Sequence, residues 1–413
     1  MAEHLTRRLA PLAAAIVLGG LAACTSQSAT SHPSIAVSAP TALADQAIDV
    51  TVTGLAPGQH VTVTAQAVDA AHRTWRAQAS YTASPHGVVN LTSAAPFAGS
   101  YRTADGMGLF WSMNEVGGQD NEFFYPAVPQ SQPDFPVRLT VTSDGRAIAS
   151  SVVTRQWLAH GETARVLTPK ADGVSGVLFL PPPGTPRHPA VLVFGGAEGG
   201  MSQTFTAALL AARGYPALTV AYFDWPGQPS QLQAIPLEYF VKAERILAAQ
   251  PGADPAHLLV MGYSRGSEAA LLLADHFPGL FHGAIVYSPS SDVNPAQSDT
   301  AQPAWTLNGK PVWPAPIPLN HISGPVIAIA GDSDALWNSE GSATQISSEL
   351  GLAGSPYRHQ AVIYLNAGHG VGTFPYLPIG DAALQVLGGT RAGDVAAQRS
   401  GWQLVLHQLA ALA

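Results

Sequence analysis

From about Pro33 to about Trp157, apolar and polar residues alternate with a period of two, the spacing that half-buries a β-strand. Ile35 to Val37 and Ile48 to Val52 carry it first, Pro57-Gly58 makes a turn, and Val61 to Ala65 returns. Val88 to Leu91 and Val137 to Val141 follow, and Asp144-Gly145 is a strong hairpin signal. Short strands at this spacing predict a β-sandwich over residues 33–158, with no titratable cluster that would suggest chemistry of its own. From about Leu178 the texture changes. Val191 to Phe194, Leu218 to Ala221, Leu258 to Met261, Ala284 to Tyr287, Val326 to Ala330 and Ala361 to Leu365 are unbroken apolar runs, as expected of strands covered on both faces. Helical patterns separate them. Ser202 is placed to cap one whose inner face is Phe205, Ala208, Leu209 and Ala212. A second begins at Pro236 and reaches Gln250, and a third covers Ser267 to His276. Asp394 is placed to cap the last, which runs to Leu412. The pattern predicts a mostly parallel, doubly covered α/β domain over residues 168–413.

A separate segment precedes both. Arg7 and Arg8 lead into an apolar stretch, Leu9 to Leu21, of signal-peptide length and short for a membrane span. It ends in Leu21-Ala22-Ala23-Cys24, which resembles a bacterial lipobox. The resemblance implies a lipoprotein signal peptide over residues 1–23, lipidation of Cys24 and a polar tether over 24–32. The membrane would then be a partner through the lipid anchor, with the protein in the bacterial cell envelope, facing away from the cytoplasm.

Composition narrows the classes further. The 413 residues suggest two or three domains, and 46% hydrophobic with 11% charged residues marks a folding chain. A net charge of −8 argues against a nucleic-acid partner, which needs a basic stripe. Cys24 is the only cysteine, so neither a disulfide framework nor a cysteine–zinc cluster is available. No cofactor motif and no metal site are read from the chain.

Three stretches carry chemistry. Gly262-Tyr263-Ser264-Arg265-Gly266 fits a nucleophile elbow, with an apolar strand before it and a helical pattern after. A serine at its free pKa needs a base. His369 lies in the glycine-flanked loop Asn366 to Gly370 after the last strand, whereas His321, His359 and His407 read as surface or packing residues. The acid follows an earlier strand, where Gly331-Asp332-Ser333-Asp334 offers two carboxylates. Asp334 is preferred on spacing and Asp332 reads as a turn cap. The order Ser–Asp–His is that of α/β-hydrolases. Oxyanion donors are expected from the backbone N–H groups of Arg265 and of Ala197, in the loop Gly195 to Gly200. That loop lacks the Gly-Lys-Ser/Thr end of a phosphate-binding P-loop. The segment Asp292 to His321, with Trp305 and Trp313, is expected to fold over the acyl site.

About 380 residues resemble the acyl-CoA thioesterase and bile acid-CoA:amino acid N-acyltransferase family. The resemblance centres on Ala95 to Tyr101 and Gly106 to Met113 in the first part. In the second it runs through Gly195-Gly196, Gly262 to Gly266, Trp305 to Pro311, Asp334, Leu336 to Ser339 and Gly368-His369. It implies an immunoglobulin-like β-sandwich followed by an α/β-hydrolase, with Ser264, Asp334 and His369 as the triad. It also implies acyl-CoA thioester hydrolysis through an acyl-enzyme. The family's conjugating members have cysteine where this chain has Ser264, so the resemblance implies hydrolysis. Three classes remain open: a thioesterase or carboxylester hydrolase, an acyltransferase to an amine, and a lipid-anchored binding protein. Lys170, Lys242 and Lys310 are the only lysines, and no basic cluster stands out to meet the phosphates of CoA.

Overall fold

The computed structural model describes residues 32–117, 123–372 and 374–413. The expectations for the signal peptide, for Cys24 and for all but the end of the tether lie outside the described residues.

Residues 34–156 form two β-sheets. The smaller joins Ser34–Val37, Val50–Thr53 and Val89–Asn90. The larger runs Thr41–Leu43, Arg146–Gln156, Asp134–Ser143, His60–Val68, Thr74–Thr82 and Ala98–Gly99, with Asn114–Glu115 also paired to Thr74–Thr82. Asp144 and Gly145 both have positive φ, 48° and 74°, as a tight two-residue hairpin demands. Thr74–Thr82 is absent from the expected strands although it alternates. Two of its four inward positions are Ala77 and Ala79, which carry a weak apolar signal between Trp75 and Tyr81.

The second unit is an eight-stranded sheet: β1 (Thr163–Leu167), β2 (Ser175–Leu180), β3 (His188–Phe194), β4 (Ala217–Ala221), β5 (Ala253–Tyr263), β6 (Ala284–Tyr287), β7 (Val326–Gly331) and β8 (His359–Tyr364). Its order is β1-β2-β4-β3-β5-β6-β7-β8, with β1 and β2 antiparallel at one edge and the rest parallel. This is the α/β-hydrolase arrangement. Helices α1 (Thr204–Ala212), α2 (Leu237–Ala248), α3 (Arg265–His276), α4 (Ser339–Leu352), α5 (Asp381–Leu387) and α6 (Arg391–Ala410) accompany it. Successive strand residues point to opposite faces, which explains the unbroken apolar runs. Val191, Val193, Leu259 and Met261 enter one core, while Ala190, Leu192, Leu258 and Val260 enter the other.

The first core is shared with the β-unit, which packs on α1 and α6. The Trp157 and Phe205 rings pack at a tilt, their centroids 4.5 Å apart. The buried Asp45 carboxylate takes a forked pair from Arg213, Nε on Oδ2 at 3.0 Å and Nη2 on Oδ1 at 2.9 Å, and the Trp402 indole N–H at 2.7 Å.

Four local expectations are corrected. Ser202 does not cap α1, because its hydroxyl donates to Glu198 at 2.6 Å and the helix starts at Thr204. Pro236 stands just before α2, which ends at Ala248. Thr390 caps α6 by accepting the Gly393 N–H, so Asp394 is released to accept the Gly368 N–H at 2.7 Å. Within Asp292 to His321, Trp305 lies in the core, against Tyr222 and Phe240, with its indole N–H on Glu268. Trp305–Leu307 and Lys310–Val312 form a small sheet with Ile235–Pro236, which leaves Trp313 exposed.

Candidate active site

The site is assembled where β5 turns into α3. Ser264 sits between them at φ 54°, ψ −124°, a conformation strained for any residue with a Cβ. The turn is possible because its flanks are glycines. A Cβ on Gly262 would lie 2.3 Å from the Gly266 carbonyl oxygen, and one on Gly266 would lie 2.3 Å from that of Gly195. The elbow holds the serine hydroxyl at the C-terminal end of the parallel strands, where loops after β3, β6, β7 and β8 converge.

The loop after β8 brings His369 to it. Its Nε2 lies 2.9 Å from Ser264 Oγ, and its Nδ1 lies 2.8 Å from Asp334 Oδ2. Both side chains of the second pair are nearly buried, at 3% and 2% exposure, which strengthens the attraction between them. Burial by itself would raise the Asp334 carboxyl. The hydrogen bond and charge of His369, with the Leu336 N–H, outweigh it and hold the carboxyl below its ordinary value. Asp332 takes the other course: its Oδ1 accepts the Asn366 N–H at 2.7 Å and the Ser333 hydroxyl at 2.8 Å. Asp332 stitches β7's loop to β8's loop, and Asp334 is the carboxylate that reaches the histidine.

The imidazole is held from several sides. Tyr263 and Ser288 hydroxyls both donate to the His369 carbonyl, at 2.7 and 2.9 Å. The Tyr263 and Trp337 rings pack against the imidazole at 5.3 and 5.6 Å, and the Trp337 indole N–H donates to the Ser288 carbonyl. Burial pushes the Tyr263 phenol far up, so it remains a donor. Behind the loop, Asp394 accepts the Gly368 N–H, and Gln398 donates to the Gly370 carbonyl at 3.0 Å.

The loop after β3 approaches the nucleophile from the opposite side. A Cβ on Gly196 would stand 2.7 Å from Ser264 Cβ and 3.0 Å from the Arg265 nitrogen, so only glycine admits this approach. Tyr222 donates to the Gly195 and Gly196 carbonyls, and Glu198 accepts the Gly196 N–H at 2.9 Å. The Ala197 and Arg265 N–H groups have no acceptor among the described residues, which leaves them free for an oxyanion. The Arg265 side chain is turned away, paired with the buried Glu268 at 2.6 Å.

Of the residues expected from the sequence, Ser264, Asp334 and His369 come together, with Arg265 next to Ser264 and Gly196, the neighbour of Ala197, against both; His321, His359 and His407 lie elsewhere. The holding residues Ser288, Trp337 and Asp394 were not expected in that role. Trp337 lies in a stretch that carries the family resemblance, and that was its only available signal. Among the described residues, no group of three His, Cys, Asp or Glu side chains could hold a metal ion, and no helix is long and apolar enough to cross a membrane.

Comparison with known proteins covers both units. Residues 45–168 match the acyl-CoA thioester hydrolase/BAAT N-terminal region, and residues 294–410 match the BAAT/acyl-CoA thioester hydrolase C-terminal region. Acyl-coenzyme A thioesterase 1 of Rattus norvegicus is 27% identical over 393 residues, covering 87% of this chain and 91% of the relative. The peroxisomal succinyl-coenzyme A thioesterase of Mus musculus is 27% identical over 405 residues, covering 88% and 92%. Among solved structures, a dienelactone hydrolase from Anabaena variabilis is similar with a TM-score of 0.39 and 15% identity, covering 60% of this chain and 100% of that one. With matches to both family regions and likeness to thioesterases over 87% of its length, the chain belongs to the acyl-CoA thioester hydrolase/BAAT family and is a thioester or ester hydrolase.

Proposed function

We propose that the protein is a serine acyl hydrolase that works through an acyl-enzyme, with Ser264 as nucleophile, His369 as base and Asp334 as the acid that orients it. The observation that carries this reading is the unbroken hydrogen-bond chain Ser264–His369–Asp334, at 2.9 and 2.8 Å. His369 Nε2 takes the Ser264 proton as Oγ bonds to the acyl carbonyl carbon, and the Ala197 and Arg265 amides hold the oxyanion. Collapse breaks the bond to the thiol or alcohol, which leaves with the proton from Nε2. Water then gives a proton to Nε2 and attacks the acyl-enzyme. The acid departs and Ser264 recovers its proton. The ionised Asp334 keeps the Nδ1–H directed and stabilises the imidazolium in both halves.

Acyl-CoA is the substrate class that the relatives' names support. Carboxylesters are the second reading, favoured by a polar pocket beside the site that no lysine or arginine lines. Transfer to an amine is disfavoured because the oxygen ester on Ser264 is less reactive toward amines than a thioester would be. In this reading the β-unit, residues 33–158, is an immunoglobulin-like sandwich that supports the catalytic domain of residues 168–413. Lipidated Cys24 tethers both to the cell envelope. A fluorophosphonate probe tests the centre of the proposal. It should label Ser264 in the wild type and not in Ser264→Ala, and the wild type should release free acid from acyl-CoAs and simple esters. Turnover that survives in Ser264→Ala would sink it.

A further inference from the structure

The loop after β6 and the first turn of α4 enclose an open pocket of about 340 Å³, at the small end of small-molecule sites. Its link to the reacting atoms is Trp337. That ring lines the pocket and also packs edge-on against the His369 imidazole, 73° between planes. The departing alcohol must take its proton from His369 Nε2 and therefore leaves on the histidine side. The pocket opens beside that imidazole, with Trp337 as the shared wall.

Its lining is polar and carries one formal charge, the exposed carboxylate of Asp292, with no lysine, arginine or histidine. Acceptors are in surplus. Gln345 is fixed in orientation because its Nε2 donates to Glu349 at 2.8 Å, so its Oε1 faces the Ser291 hydroxyl. That hydroxyl has one hydrogen for two acceptors, Gln345 Oε1 and Asp292 Oδ2, each at 3.1 Å. Donors face the same space. The Asn338 carbonyl oxygen caps the Gly341 N–H, which leaves its NH₂ without a partner among the described residues. The Ser342 hydroxyl is equally free there. A phosphate here would meet a carboxylate and no cation. An ammonium would have one solvent-exposed carboxylate, already bonded. Hydroxyl groups, which donate and accept together, satisfy both halves of the lining.

We propose that this pocket is a leaving-group subsite for an uncharged, hydroxyl-rich alcohol, glycerol- or sugar-like, so that polyol esters are substrates of the enzyme in their own right. The proposal rests on the serine-hydrolase reading of Ser264 and His369. It is tested on the full chain by kcat/KM for a monoacylglycerol against the methyl ester and the choline ester of the same acyl group. Wild type should favour the glycerol ester over the methyl ester by about threefold to tenfold, the value of one net hydrogen bond to a solvent-accessible lining group such as Gln345. In Gln345→Leu, which removes an acceptor, and in Ser342→Trp, which fills the pocket, the ratio should fall toward one. Equal kcat/KM for the glycerol and methyl esters in the wild type, a choline-ester preference, or a ratio unchanged in both variants would overturn it. Failure of the underlying reading is distinct: Ser264→Ala would then still hydrolyse the methyl ester.

Discussion

Two aspartates two residues apart do different work, and the difference lies in which atoms surround each. Asp334 faces His369 Nδ1, while Asp332 is occupied by the Asn366 amide and the Ser333 hydroxyl. Asp334→Asn keeps the shape and replaces the acceptor of the Nδ1–H, so kcat should fall by about 10⁴-fold. Asp332→Asn retains an oxygen for the Asn366 amide and should reduce kcat by less than about tenfold. Steady-state kinetics on the two variants decide the assignment, and the reverse order would show that the wrong acid has been named. His369→Ala should remove nearly all turnover with the fold intact by circular dichroism, because triad members act as a unit. The elbow was legible because its glycines and strand–turn–helix context are local. The choice between the aspartates rested on spacing, since a carboxylate's partners come from a strand and loop distant in the chain.

At the scale of an element, α6 carries a cost that serves the loop packed on it. Asp394, in its first turn, is buried at 1% exposure. One oxygen accepts the Gly368 N–H, and the other has no partner among the described residues. Burial pushes its pKa up to about 6, the Gly368 hydrogen bond opposes this, and the Asp334 charge adds to it. Its unfolded pKa is about 3.9, so between pH 4 and 6 the folded state binds the extra proton. Stability contributed by this group is therefore greatest below pH 4 and is lost as pH rises through 6. Asp394→Asn keeps an oxygen for Gly368 without the buried charge. It should be more stable than wild type by about 1–3 kcal/mol at pH 8, with the gain shrinking toward pH 4. Urea unfolding of both proteins at pH 4, 6 and 8 measures this, and a pH-independent difference would remove titration as the cause.

At the scale of the whole molecule, the β-unit and the hydrolase unit share a core, and the Asp45 carboxylate is one of the polar groups that join them, alongside Asp105 on Arg399. Asp45→Ala would strand the Arg213 guanidinium and the Trp402 indole N–H. The expected loss is about 2–3 kcal/mol, below the range for fully buried pairs because Arg213 is one-third exposed. Calorimetry should show a lower Tm and a transition that broadens or splits between the units. An unchanged Tm would mean that the remaining contacts, such as Trp157 on Phe205 and Arg399 on Asp105, hold the interface without it. The proposed anchor is tested at the same scale. Cys24→Ser should move the protein from the membrane fraction to the soluble or unprocessed fraction, whereas a wild type found soluble in the cytoplasm would refute the anchor.

Local pattern determined the secondary structure and much of the site. Period-two alternation marks half-buried strands, and unbroken apolar runs mark strands covered twice. The glycines around Ser264 mark a sharp backbone turn that needs them. Where local signal was weak or shared, the chain alone did not decide. Ala77 and Ala79 concealed a strand, and Ser202 and Asp394 looked like helix caps because polar residues before helices usually are. Ser202 turned instead to Glu198, four residues back in its own loop, and only tertiary packing offered Asp394 the Gly368 amide. Only the convergence of the loops after β6, β7 and β8 put Trp337 and Asp334 on the His369 imidazole and Ser288 on its carbonyl. A side chain's type is written in the sequence, but its hydrogen-bond partner is chosen by whichever distant backbone the fold brings within 3 Å.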